Sequence, residues 1–153
     1  MNFIEIQTIY QANHLPDEQQ IQRWVDAALH DYAPDTEIVI RIVDEQESAE
    51  LNQQYRHKSG PTNILSFPVE LPDGIELDLL GDLVICAPVL EKEALAQQKV
   101  LADHWAHIII HGVLHLLGYD HIEDDEAEFM ESKEIAILNT LTIANPYEQD
   151  NNA

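Results

Sequence analysis

The sequence predicts an α+β fold: a small mixed sheet of about four strands packed with about five helices, with a metal site at the end of a central helix. Three observations carry this. Strand-like segments fall in the first 86 of the 153 residues. The remainder is mostly helical in its periodicity. One apolar helical segment, 103–117, is studded with histidines.

Residues 3–9 alternate apolar and polar side chains, with Ile4 and Ile6 set against Glu5 and Gln7, as in a strand with one buried face. Residues 17–32 place Ile21, Trp24, Val25, Ala28 and Leu29 on one stripe, an amphipathic helix that Pro34 closes. Residues 37–43 are β-branched and apolar on both faces except at Arg41, the pattern of an inner strand. Asp44 followed by Glu47 resembles an N-terminal capping box for a helix reaching about Tyr55. Residues 56–63, RHKSGPTN, read as a loop, and 64–67 as a short strand stopped by Pro68. Residues 69–77 predict a hairpin turning at Asp73 and Gly74, and 82–86 a further apolar strand. Pro88 suits the first turn of a helix running to about Val100. The histidine-bearing helix, 103–117, ends at Gly118, and a last helix spans about 124–141. Residues 1–144 form a single domain on this reading, and 145–153 a frayed polar tail.

Composition narrows the function. Seven basic residues against 29 acidic ones give a net charge of −22, which disfavours a general nucleic-acid or anionic-membrane coat. Cys86 is the single cysteine, so a disulfide scaffold is excluded. The start of the chain has neither a basic region nor an apolar leader core. Asp82 and Pro88 interrupt one apolar stretch and histidines interrupt the other, so neither suits a membrane span. A cytoplasmic, reducing location is expected.

Five of the eight histidines lie between His104 and His121. His104, His107, His111 and His115 share one helix face. The sharper pattern is HGVLHLLGYDH, residues 111–121. Imidazoles one turn apart can point at one ion, Gly118 can reverse the chain, and the return brings His121 round as a third ligand. Three neutral nitrogen donors favour zinc and leave one position for water. His104 and His107 read as packing or hydrogen-bonding residues rather than ligands. Asp120 either orients a ligand imidazole or faces solvent. The spacing matches the metzincin protease signature, except that the general-base glutamate is replaced by Gly112. Peptide hydrolysis by the usual route is therefore disfavoured.

The motifs HGVLHLLGYDH (111–121), YRHKSGPTNILSFP (55–68) and LGDLVIC (80–86) resemble those of the YbeY endoribonuclease family of bacterial rRNA maturation factors. The resemblance covers nearly the whole chain. It implies an α+β metalloprotein with one zinc ion on His111, His115 and His121. It further implies a single-strand-specific endoribonuclease in 16S rRNA 3′-end maturation and ribosome quality control, and a functional arginine at Arg56. Its expected partners are single-stranded rRNA and the ribosome or ribosomal proteins, with no membrane and no DNA. The residues agree about Arg56: a guanidinium holds phosphate oxygens bidentately and stabilises developing negative charge. Thr62, Asn63, Ser66 and Asp82 are open between substrate contact and turn, cap or strand roles. Residues 120–134 hold eight carboxylates and one lysine, read mostly as a solvated helix face. The competing readings are a metzincin-like peptidase or amidase, and a non-catalytic zinc-stapled ribosome-binding module.

Overall fold

The computed structural model describes residues 1–12, 14–32, 35–69, 78–119 and 123–147. In chain order these form β1 (Asn2–Thr8), α1 (Glu18–Ala28), β2 (Thr36–Val43), α2 (Glu45–Arg56), β3 (Ile64–Pro68), β4 (Leu79–Cys86), α3 (Ala87–Ala96), α4 (Leu101–Leu116) and α5 (Asp124–Thr140). The sheet order is β1-β2-β4-β3. β1 and β2 pair in parallel, as do β2 and β4, while β3 runs antiparallel to β4. This is the mixed α+β architecture expected. The proposed hairpin turn at Asp73 and Gly74, and Pro34 after α1, lie outside the described residues.

Alternation decides which sheet face is the core. Ile38, Ile40 and Ile42 of β2 and Leu83 and Ile85 of β4 are buried on one face. They join Ile21, Trp24 and Val25 of α1 and Trp105, Ile109, Ile110 and Val113 of α4 in the main core. The opposite face carries a smaller cluster of Val43, Leu65, Val84 and Cys86, against which Leu51 of α2 packs. Asp82 alternates with the core residues, so it faces away from α4 and is exposed. Partial desolvation of its carboxyl and the charge of Glu5 push that group above the ordinary range.

Two helix ends differ from expectation. Asp44 accepts from the Glu47 backbone N–H at 2.9 Å, but the Glu47 carboxylate pairs with Arg41 of β2 instead of closing a box. The complete capping box stands at α1, between Asp17 and Gln20. α3 stops at Ala96 rather than near Val100. Gln98 adopts a left-handed backbone, φ 55, while Lys99 N–H donates to Ala94 O at 2.9 Å and Gln98 N–H to Leu95 O at 3.3 Å. That is a Schellman turn built without glycine, which composition could not signal.

Candidate metal centre

α4 is held in place by its apolar sides. Trp105, Ile109 and Ile110 are almost fully buried, which leaves the histidine row on the one side not occupied by the sheet or α1. Gly112 makes the close packing possible. A Cβ there would stand 2.6 Å from Ile64 Cδ1 and 2.9 Å from Leu83 Cδ2. Position 112 therefore faces β3 and β4, and a glutamate at that position would be driven into the core. Gly118 is a glycine for the opposite reason. Its surroundings are open, but its φ is 100. Gly118 N–H donates to His115 O at 3.0 Å and Tyr119 N–H to Leu114 O at 3.1 Å. The helix thus ends in a Schellman turn, as the sequence indicated.

His111 and His115 form the centre of the row. His115 Nε2 lies 3.1 Å from His111 Nε2. The other nitrogen of His111, Nδ1, donates to Glu134 Oε1 of α5. In a neutral imidazole that bond assigns the proton to Nδ1 and leaves Nε2 with its lone pair toward His115. Two nitrogens bound at 2.0–2.1 Å to one tetrahedral ion stand about 3.4 Å apart. The observed spacing, and a carboxylate behind one ring, fit a metal-binding pair.

Glu134 is fully buried at 0% exposure, which corrects its place in a solvated acidic face. It also receives the Tyr147 hydroxyl, and His107 Nε2 stands 3.4 Å from its Oε2. Burial by itself pushes this carboxyl up. The hydrogen bonds from His107, His111 and the Tyr147 hydroxyl outweigh it and hold the group at about 2. Tyr147 is raised in turn by burial and by the adjacent carboxylate. Although 145–153 reads as a frayed tail, residue 147 is tied down. Tyr147 is also 3.1 Å from His107 Nε2, and Lys99 Nζ donates to Pro146 O at 2.9 Å.

The remaining site residues separate. His104 is buried at 4% and meets Glu93 of α3 at 2.9 Å. His104 and His107 are thus paired with carboxylates, and the Nδ1 of each lacks a partner among the described residues. Thr62 and Asn63 hold the 56–63 loop. Ser48 Oγ bridges the backbone of Thr62, Asn52 donates to Gly60 O, and Asn63 Nδ2 lies 3.4 Å from both Glu93 oxygens. Arg56 ends α2, exposed, and makes no hydrogen bond or ion pair with another described residue. His121 and Asp120 lie outside the described residues. Among the described residues no group of three His, Cys, Asp or Glu is arranged around one ion. Sequence reasoning missed Glu134, although Met130, Glu134 and Leu138 fall at i, i+4, i+8, which put an acid in a buried stripe.

Fold and site together define an α+β domain carrying a carboxylate-backed histidine pair on its central helix. The model of the family described as Endoribonuclease YbeY matches residues 5–142. The chain belongs to this family. The Endoribonuclease YbeY of Methylococcus capsulatus is 58% identical over 135 residues, covering 88% of this chain and 89% of the relative. That of Colwellia psychrerythraea is 54% identical over 148 residues, covering 94% and 96%. A solution structure of a Thermotoga maritima protein shares the fold with a TM-score of 0.60 at 24% identity, over 100% of this chain and 99% of that one.

Proposed function

We propose that the chain is a zinc-dependent endoribonuclease that cuts single-stranded rRNA in 16S 3′-end maturation, in the cytoplasm and in association with the ribosome. The observation that carries the metal assignment is the pair of ε nitrogens, 3.1 Å apart, with Glu134 behind His111. His111 and His115 are two ligands, and the motif supplies His121 as the third. A bound zinc ion would supply Lewis acidity toward a phosphoryl oxygen and a water of lowered pKa. Glu134 fixes the His111 tautomer and ring plane, so the donor lone pair is set before the ion arrives. Arg56, with no carboxylate among the described residues competing for it, holds a phosphate oxygen of the strand and stabilises charge that grows in the transition state. The peptidase alternative loses its base, because position 112 points into the sheet. Among the described residues no helix is long and apolar enough to cross a membrane.

The test is metal analysis of wild type, His115→Ala and His121→Ala, with each assayed on single-stranded RNA, duplex RNA and a peptide. The expected outcome is one zinc per wild-type chain, loss of zinc and of RNA cleavage in both variants, and no peptide turnover. Zinc retention in His121→Ala, or peptide turnover without RNA cleavage, rejects the reading.

A further inference from the structure

We propose that the cavity between α1, α4 and α5 is a subsite for one base of the RNA strand, with Lys133 at its mouth holding a neighbouring phosphate. This rests on the endoribonuclease reading and adds to it how the strand is held beside the histidine pair.

The cavity measures about 370 Å³ and is walled by Ala28, Leu114, Leu117 and Ile137, with Tyr32 and Tyr119 also lining it. That volume lies in the range of small-ligand sites, and the walls are mainly apolar, with His30, Asp31 and Thr140 as further polar lining. Lys133 also lines it. Its ammonium lies 5.2 Å from the Tyr119 ring centre and 5.7 Å from that of Phe129. In a chain with 29 acidic residues, this half-buried lysine pairs with no carboxylate among the described residues. Phe129 beside it is 56% exposed.

A nucleotide satisfies both features at once. A base has a π-face for the tyrosine rings, and its phosphate meets the cation. An apolar peptide leaves the ammonium unused, and a free phosphate leaves the apolar walls unused. Location supports the same occupant. Leu114 of α4 and Leu117, which caps it, bracket His115 along a helix where each residue advances only about 1.5 Å. The cavity wall therefore lies at the height of the histidine pair, round the helix on its α1 side. The first turn of α5 is acidic, with Asp124, Asp125 and Glu126. These charges repel any backbone not anchored by an inserted base. Paired bases cannot insert, so preference for single strands follows from the cavity itself.

The experiment measures steady-state cleavage of a single-stranded RNA by zinc-loaded wild type, Ala136→Trp, Tyr119→Leu and Lys133→Gln. Zinc content, circular dichroism and oligomeric state are followed alongside. Ala136 lines the cavity from an exposed position, so tryptophan fills it without disturbing the core. Ala136→Trp and Tyr119→Leu should raise KM about tenfold, the scale of one lost stacking contact, with kcat and zinc content within about twofold of wild type. Lys133→Gln should lower the slope of log affinity against log salt by about 0.7. Folded variants with unchanged KM overturn the proposal, as does a fall in kcat and zinc content together. A change of oligomeric state in Ala136→Trp assigns the cavity to a second copy and also overturns it. Absence of RNA cleavage by wild type rejects the endoribonuclease reading along with it.

Discussion

Glu134 shows how much one side chain can decide. It is buried at 0% exposure yet stays ionised because three donors surround it, which is the condition under which a buried carboxylate is tolerated. Its oxygen on His111 Nδ1 fixes which nitrogen of that ring faces His115. Glu134→Gln keeps the shape but replaces a charge by an amide that also donates. Zinc affinity, measured by chelator competition, should fall about 10- to 100-fold. An unchanged affinity removes Glu134 from the site. The same competition on His115→Ala gives the reference for losing a proposed ligand outright.

At the scale of the element, α4 is the organising piece. Gly112 lets it lie close on β3 and β4, and Gly118 lets it end where the chain must return. The first is a steric requirement and the second a conformational one. Gly112→Glu should destabilise by more than about 4 kcal/mol in urea unfolding, since it buries a carboxylate with no donor and clashes with Ile64 and Leu83. Gly112→Ala should fall within about 2 kcal/mol of wild type. The added methyl meets only the flexible ends of two side chains, and alanine gains about 1 kcal/mol in a helix. Gly112→Glu that folds normally and hydrolyses peptides would reverse the argument against protease chemistry.

For the whole molecule, the excess of acid sets the terms of RNA binding. The net charge of −22 opposes a polyanion, so affinity must come from a few local contacts. Arg56 and Lys133 are the cations assigned to the strand here. Two neutralised phosphates correspond to a salt slope of about −1.4 for single-stranded RNA. Titration of a non-cleavable single strand over a range of salt tests this. A slope near −6 would show a broad cationic surface that the chain does not have.

Much of the fold was legible because period two and period 3.6 are written directly in the chain. The stripe of α1, the inner strand β2 and the histidine face of α4 all stand where those patterns put them. The HGVLHLLGYDH motif likewise placed His111 and His115 on one side of a helix. What the sequence left out are long-range pairings. Glu93 reaches His104, Glu134 reaches His111, and Tyr147 reaches both His107 and Glu134. An acid in a charged stretch looks solvated, and a tyrosine near the end of the chain looks loose, until packing removes the water around them. Local periodicity determined the elements and the histidine face. Only burial between α4 and α5 decided which carboxylate stands behind the histidines, because that depends on which surfaces exclude water together.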